Sequence, residues 1–328
     1  MKIIQVRDLR KTYLTYERGS SFLETVKSLV VRKPIAIDAV KGITFDVEQG
    51  ELLGFLGPNG AGKSTTLKIL TGVLFPTAGE VDVMGYTPWR QRRKYVANIG
   101  AVFGQKSQLI WDIPPLDSFI MNKAIYEIAD SDFKKRLEEM INLLGVEGVI
   151  RKPTRQLSLG ERMKCEFIMA MLHNPKIVFL DEPTIGLDVI AKDRIREFIL
   201  ERNRTGTTFI LTTHDLDDVE RLARRVIVVN HGEIVFDDGL EALHGFSGHQ
   251  KFVSLSTQKP LPDFTTMPGV TVTGQPSQYN AELELDMGKI ELNCFIQAVN
   301  ESYVINDLTI GEPPIENIIK ELYMKKNE

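Results

Sequence analysis

The sequence predicts an α/β fold in residues 1–240, with helices crossing over a parallel sheet, and a small α+β domain in residues 241–328. Three observations predict it. Short apolar runs alternate with helix-length segments, a glycine-rich loop joins one run to a helical pattern, and the composition changes near residue 240. Such runs are typical of strands buried on both faces of a parallel sheet. They occupy residues 51–56, 99–103, 176–180, 207–211 and 225–229.

The composition is that of an ordinary folded protein. The chain has 328 residues, 43% of them hydrophobic and 26% charged, which suits about two domains and is unlike a disordered chain. The net charge of −4 gives no overall positive field, so we expect no nucleic-acid partner. Only Cys165 and Cys294 are present, which excludes a disulfide framework and favours a reducing, cytoplasmic compartment. No window approaches the length of a membrane helix, so we expect neither a transmembrane segment nor a secretion signal.

The domain boundary is predicted from charge. Arginine is frequent up to residue 240 and absent from residues 241–328, where lysines are also outnumbered by acids. In this tail, apolar and acidic residues alternate over 281–287, which predicts a half-buried strand. Its apolar members are Ala281, Leu283, Leu285 and Met287. A helical stripe then follows Pro313 and Pro314. It consists of Ile315, Ile318, Ile319 and Leu322.

Residues 14–34 interrupt the α/β pattern. Phe22, Val26, Leu29 and Val30 fall at helical spacing, and Pro34 would end the helix. The sequence therefore predicts an inserted amphipathic helix over 14–34, with basic residues on its polar side.

The glycine-rich loop G-P-N-G-A-G-K-S occupies residues 57–64, between an apolar strand and a helical pattern. Its glycines allow a tight turn whose N–H groups point inward, and the positive end of the next helix adds to them, so a polyphosphate fits. Lys63 would contact the outer phosphates, and the hydroxyl of Ser64 would bind Mg²⁺. The candidate nucleotide ligands here are Gly57, Pro58, Asn59, Gly60, Ala61, Gly62, Lys63, Ser64 and Thr65.

Three further polar side chains follow predicted strands at the same sheet edge, where ligands bind in parallel α/β folds. Asp181 and Glu182 come directly after the run at 176–180, and His214 follows the run at 207–211. Asp181 suits a role at Mg²⁺, and Glu182 could deprotonate the water that attacks the γ-phosphate. The alternatives are a solvated acidic loop and a structural histidine.

In their order, these motifs resemble the nucleotide-binding subunit of ATP-binding cassette (ABC) transporters over residues 1 to about 240. Within that family the chain is most similar to the ATPases that serve ABC-2 type export permeases, on the segments L-S-L-G-E-R-M-K-C-E and D-E-P-T-I-G-L-D-V. The matching motifs are Walker A at 57–64, the Q-loop at Gln105, the signature at 157–161, Walker B at 177–182, the D-loop at Asp188 and the switch histidine at His214.

The resemblance implies a P-loop NTPase core with a parallel sheet, an antiparallel β subdomain, and a helical subdomain at about 106–172. It also implies a homodimer in which each ATP lies between one Walker A loop and Ser158 and Gly160 of the other copy. Glu182 and His214 would be catalytic. Mg²⁺ would be bound by Ser64, Gln105 and Asp181, with Gln105 also near the nucleotide.

Two features of the resemblance leave alternatives open. Tyr13 is the expected adenine-stacking residue, although Tyr16 or an ordinary packed tyrosine would also fit. The signature carries Leu159 and Glu161 where the family usually has glycine and glutamine. An acid beside the nucleotide would weaken anion binding unless it points away or pairs with a cation.

The resemblance further implies a separate transmembrane permease as the partner. The chain would then be a cytoplasmic ATPase, peripheral on the inner face of the cell membrane, and export is the expected direction. The helical subdomain would receive the permease through a segment containing Trp111, which could alternatively cover the subdomain core. The inserted helix would contact the permease, and the tail would stabilise or regulate the dimer. The rival functions are a soluble ABC ATPase in translation or repair, and a nucleotide-dependent regulator that does not hydrolyse ATP.

Overall fold

The computed structural model describes residues 1–16, 34–104, 106–245, 250–261, 264, 267–302, 304–312 and 314–325. These residues form two compact units, Met1–Asp237 and Asp238–Glu328. The division falls close to the change of composition near residue 240.

The first unit contains strands β1 (Lys2–Tyr16), β2 (Pro34–Glu48), β3 (Leu52–Leu56), β4 (Ala78–Val83), β5 (Ile99–Phe103), β6 (Ile177–Asp181), β7 (Thr208–Thr212), β8 (Arg225–Asn230) and β9 (Glu233–Gly239), the last of which crosses the division. Its helices are α1 (Lys63–Leu70), α2 (Arg92–Val96), α3 (Pro115–Ile125), α4 (Asp130–Leu144), α5 (Leu159–Met171), α6 (Val189–Arg204) and α7 (Leu216–Leu222).

The central sheet has the order β5-β6-β7-β3-β8-β9. Every pair from β5 to β8 is parallel, and each of these strands contains one of the five apolar runs. Strands β3 and β7 are buried along their whole length, as expected for a sheet covered on both faces. The predicted α/β fold with a parallel sheet is confirmed. Its carboxyl-terminal edge carries the loops after β3, β6 and β7.

A second sheet, in the order β2-β1-β4, is antiparallel. Its buried side chains join those of the central sheet and α1 in one core, where the rings of Phe45 and Phe55 lie 5.7 Å apart between centroids. This sheet is the antiparallel β subdomain that the resemblance implied. It places β2 beside the glycine-rich loop.

The predicted helix over 14–34 is wrong at both of its ends. Leu14 pairs with Ala36, and Tyr16 pairs with Pro34, so these positions extend the β1–β2 ladder. Antiparallel pairing satisfies the backbone hydrogen-bonding groups of both strands. This stabilisation outweighs the helical preference that the spacing of apolar residues within one segment indicates. The middle of this prediction, including Phe22, Val26, Leu29 and Val30, lies outside the described residues.

Helices α3, α4 and α5 lie between β5 and β6, in the region predicted to be a helical subdomain. Helix α3 begins with Pro115 at its first position, which suits proline because no helical N–H is lost there. Helix α4 ends at Gly145 in the left-handed conformation. Residues 106–114, by contrast, form an extended loop that leads from β5 to α3.

The second unit has a four-stranded antiparallel sheet in the order β11-β12-β10-β13. Its elements are β10 (Gln250–Thr257), β11 (Val270–Ser277), β12 (Asn280–Asp286) and β13 (Ile305–Gly311), with helices α8 (Leu240–Gly245), α9 (Leu292–Ser302) and α10 (Ile315–Lys325). The apolar positions predicted for the strand and the helical stripe are buried, except that Met287 lies just beyond β12 and is half-buried. The predicted α+β tail is confirmed.

Candidate functional site

The glycine-rich loop follows β3 and ends where α1 begins, as the spacing predicted. Gly57 has φ +155° and Gly62 has φ +106°. A Cβ on Gly57 would lie 2.3 Å from the carbonyl oxygen of Val229, and one on Gly62 would lie 2.4 Å from that of Ala39. Both positions therefore require glycine for two reasons: the turn needs a positive φ, and other backbone atoms lie too close for a Cβ.

Lys63, the first residue of α1, lies under this loop with only 5% of its surface exposed. Its Nζ donates hydrogen bonds to the carbonyl oxygens of Gly57 and Pro58, at 2.6 and 3.1 Å. Burial lowers the pKa of Lys63, while the carboxylates of Glu182 and Asp181 act in the opposite direction. The loop thus holds a charged amine with neutral partners that a phosphate oxygen could replace.

Ser64 and Asp181 are brought together, as expected for a shared metal. The hydroxyl of Ser64 donates to Asp181 Oδ1 at 2.9 Å. Thr212, at the end of β7, donates to the same oxygen at 2.6 Å. Hydroxyl and carboxylate oxygens at the edge of an open pocket fit the hard-oxygen preference of Mg²⁺. Thr212 was missed in the sequence, although its place directly ahead of T-H at 213–214 was a usable signal.

Glu182 and His214 also meet, because the loops after β6 and β7 are adjacent. The Nδ1 atom of His214 lies 3.2 Å from Glu182 Oε1. Glu182 has φ +52°, which is uncommon for a residue with a side chain and marks local strain. Its N–H donates to the carbonyl oxygen of Thr212 at 2.9 Å, so the turn is held in place. Strain of this kind is typical of functional positions.

A pocket of about 470 Å³ opens at this edge of the sheet. It contains the carboxylates, the hydroxyl and the imidazole described above, together with two cations that the sequence analysis did not single out. Lys68 is one turn beyond Ser64 on α1, and Lys106 follows β5. The pocket is lined by Asn59, Ser64, Lys68, Phe103, Gly104, Lys106, Asp181, Glu182, Ile185 and His214.

The signature begins helix α5, and Ser158 is its N-cap. The N–H of Glu161 donates to the Ser158 hydroxyl at 3.2 Å, and the N–H of Ser158 donates to the Glu161 carboxylate at 2.8 Å. This capping box accounts for the acid in L-S-L-G-E, because Glu161 is turned toward its own helix end. Neither Ser158 nor Gly160 is among the described residues that line the pocket.

The structure does not place the predicted adenine and Q-loop ligands, Tyr13 and Gln105, at the pocket. Tyr13 lies on β1, is 39% exposed, has the amine of Lys11 5.3 Å from its ring centroid, and is absent from the described pocket lining. The side chain of Tyr16 and the whole of Gln105 lie outside the described residues. Gly104, directly before Gln105, donates its N–H to the carbonyl oxygen of Asp181 at 2.9 Å. Gly104, the residue before Gln105, therefore lies beside Asp181, a candidate metal ligand.

Comparison with known proteins gives the same assignment. Residues 40–185 match the family model described as ABC transporter. The ABC transporter ATP-binding protein NatA of Bacillus subtilis is 30% identical over 65% of this chain and 86% of NatA. The linearmycin resistance ATP-binding protein LnrL of the same organism is 26% identical over 91% of this chain and 96% of LnrL. The methionine import ATP-binding protein MetN 2 of Enterococcus faecalis is 34% identical over 65% of this chain and 63% of MetN 2.

A solved structure of a dimeric ATP-binding cassette, in a post-hydrolysis state with ADP and Pi, is 25% identical. It covers 72% of this chain and 98% of its own, with a TM-score of 0.60. These relatives support ATP hydrolysis over the alternative function of a nucleotide-dependent regulator that does not hydrolyse ATP. The chain belongs to the ATP-binding proteins of ABC transporters, which hydrolyse ATP.

Proposed function

We propose that this chain is the ATPase subunit of an exporter and drives a separate ABC-2 type permease as a homodimer. The observation that carries the proposal is the separation of the two halves of the nucleotide site. Ser64, Glu182 and His214 line one pocket, whereas Ser158 and Gly160 are not among its described lining. A second copy, presenting its α5 N-terminus, would complete the site with a hydroxyl, an N–H and a positive helix end.

Hydrolysis would then proceed within this shared site. The oxygen of a water attacks the γ-phosphorus, the bond to the β,γ-bridging oxygen breaks, and ADP and phosphate result. Glu182 accepts the proton of the water, and His214, hydrogen-bonded to Glu182, keeps that carboxylate oriented toward the γ-phosphate. Ser64, Asp181 and Gln105 would hold Mg²⁺, which would supply positive charge to neutralise the phosphates. Tyr13 remains our proposed partner for adenine.

Export is favoured by the coverage of the relatives. The resistance protein LnrL aligns with 91% of this chain, which must include most of the tail, whereas the importer MetN 2 aligns with 65%. Resistance is a property expected of an exporter. Among the described residues, no helix is long and apolar enough to cross a membrane. A separate permease as the partner would place the chain in the cytoplasm, on the inner face of the membrane.

The proposal is tested by Glu182→Gln, which removes the base but keeps the size of the side chain. We expect ATP binding to persist, hydrolysis to fall by at least about a hundredfold, and the dimer to stay closed with ATP. Phosphate release with the permease present and sedimentation with and without ATP would measure this. Glu220→Gln, a change at an exposed position of α7, is the control and should hydrolyse normally. Near-normal turnover of Glu182→Gln would overturn its assigned role.

A further inference from the structure

We infer that Glu166 is a positioning residue, which fixes the segment directly after Gln105 to the signature helix α5. The inference rests on the proposed function, because the segment 107–113 is where the permease would act. Glu166 touches neither nucleotide nor reacting atoms. Glu166 would make the segment 107–113 and Ser158 move together. A displacement of the segment by the permease would then move Ser158, which completes the nucleotide site of the second copy.

The first argument is the set of contacts at the carboxylate. Glu166 lies in the middle of α5 and is 4% exposed. It accepts a hydrogen bond from the hydroxyl of Ser107. It also accepts from the N–H of Gln108, at 3.1 and 3.0 Å to its two oxygens, and from the N–H of Leu109 at 3.4 Å. Three consecutive residues of the segment thus donate to one side chain of the signature helix.

The second argument is that Gln105 lies between two anchors in the chain. On its amino-terminal side, Gly104 is bound to the carbonyl oxygen of Asp181. On its other side, Gln108 is bound to Glu166, and its side-chain amide also donates to the carbonyl oxygen of Ala101 at 2.7 Å. Loosening the Glu166 anchor would release one end of a short loop that must place Gln105 beside the proposed metal.

The third argument is that the same segment is bound to residues on both sides of Ser158. Before the signature, the N–H of Arg155 donates to the carbonyl oxygen of Trp111 at 3.0 Å, and its guanidinium pairs with Asp112 at 2.9 Å. Within α5, the guanidinium of Arg162 lies 5.9 Å from the centroid of the Trp111 ring. Trp111 is 53% exposed, so it can still meet a partner. A helix transmits such a displacement as a rigid rod.

The chemistry of the position favours a coupling role over simple packing. A buried carboxylate loses hydration that an apolar side chain would never need: burial raises the pKa of Glu166, while its hydrogen bonds and the charge of Arg162 act in the opposite direction. The Glu166 carboxylate, however, accepts directional hydrogen bonds from two successive backbone N–H groups. An apolar residue of similar size would fill the space but could not hold the segment in register.

The test compares Glu166→Gln with Glu197→Gln, which removes an exposed carboxylate from α6 as a matched control. Glutamine keeps the shape but has one acceptor oxygen, and its amide would face backbone donors. We expect ATP affinity within about twofold of wild type and stimulation of hydrolysis by the reconstituted permease reduced about tenfold, which corresponds to about 1.4 kcal/mol of activation free energy. Amide exchange at Gln108 and Leu109 should accelerate. The control should match wild type in all three measurements.

Ser107→Ala provides an independent variant if Glu166→Gln fails to fold, because it removes one donor and leaves the carboxylate. It should lose part of the stimulation, and Ser107→Thr should restore it. Full stimulation in both Glu166→Gln and Ser107→Ala would overturn the inference. If the wild type itself is not stimulated by a permease, the proposed function fails. The inference is then decided by exchange alone, and unchanged protection of Gln108 and Leu109 would overturn it.

Discussion

Lys63 is buried, and two carbonyl oxygens of the glycine-rich loop, those of Gly57 and Pro58, accept hydrogen bonds from its amine. Burial lowers its pKa, and bound phosphates would raise that pKa again by placing negative oxygens at the amine. At a pH where Lys63 is neutral in part of the free protein, ATP binding raises the pKa of Lys63, and the amine takes up a proton. ATP affinity should therefore fall, and proton uptake appear, as the pH rises toward the pKa of Lys63.

Calorimetry of ATP binding at about pH 9 checks this, in two buffers with different heats of ionisation. Proton uptake makes the measured heat depend on the buffer. The variant Lys63→Arg stays charged at this pH and should lose that dependence, even if it binds more weakly. Identical heats for the wild type in both buffers would contradict the expected uptake.

Single residues also show what the sequence could and could not predict at the site. Asp181, Glu182 and His214 were predicted because each follows an apolar run, and parallel strands bring their ends to one edge. Ser64 was predicted from the glycine-rich loop pattern that it ends. For Glu161 the sequence analysis left open that the acid points away from the nucleotide, and the S-x-x-E pattern of a capping box at 158–161 would have predicted this orientation. Lys106 could not be found, because it meets the pocket only through the path of its loop.

At the scale of elements, a buried ion pair joins α6 to α7 behind the catalytic edge. Arg196 contacts Asp218 at 2.6 Å, and their side chains are 7% and 0% exposed. The hydroxyl of Thr184, in the loop after Glu182, also donates to Asp218. The pair therefore holds both helices and the loop that carries the base. Burial of two charges makes the loss of one partner costly.

Asp218→Ala should lower the free energy of unfolding by about 3–5 kcal/mol, because it leaves the Arg196 guanidinium buried without its buried carboxylate partner. Asp193 also lies near Arg196, at 3.4 Å, but its side chain is 46% exposed. Asp193→Ala should therefore lower the free energy of unfolding by less than about 1 kcal/mol. Urea denaturation of the two variants measures both values. Equal losses would mean that burial does not set the strength of this pair.

The elements themselves divide into those visible locally and those fixed at a distance. The central strands were predictable because burial on both faces makes each one continuously apolar. The β1–β2 ladder was not, since its distal part is exposed: Leu14 is 65% exposed and Ile37 is 52% exposed. Without a buried face, nothing in the local pattern shows the strand period, and the pairing partner lies some twenty residues away in sequence. Register of that kind depends on the partner strand.

For the whole molecule, the two units have separate cores. One buried cluster joins the two sheets of the first unit, and another, containing Phe264, Phe295 and Val299, belongs to the tail. Composition predicted this division because arginine is absent beyond residue 240 and acids outnumber lysines there. The nucleotide pocket is lined by described residues of the first unit alone. Separate cores imply that removal of the tail leaves the pocket intact.

Removal of residues 241–328 therefore separates binding from association. We expect the shortened chain to bind ATP within about threefold of wild type, because the pocket lining is complete. If the tail stabilises the dimer, association with ATP should weaken by about tenfold or more, which is about 1.4 kcal/mol, and hydrolysis should fall at low protein concentration but recover at high concentration. Sedimentation and phosphate release over a concentration series measure both. A concentration dependence identical to that of the full chain would remove the tail from dimer stabilisation, because association would then depend only on the first unit.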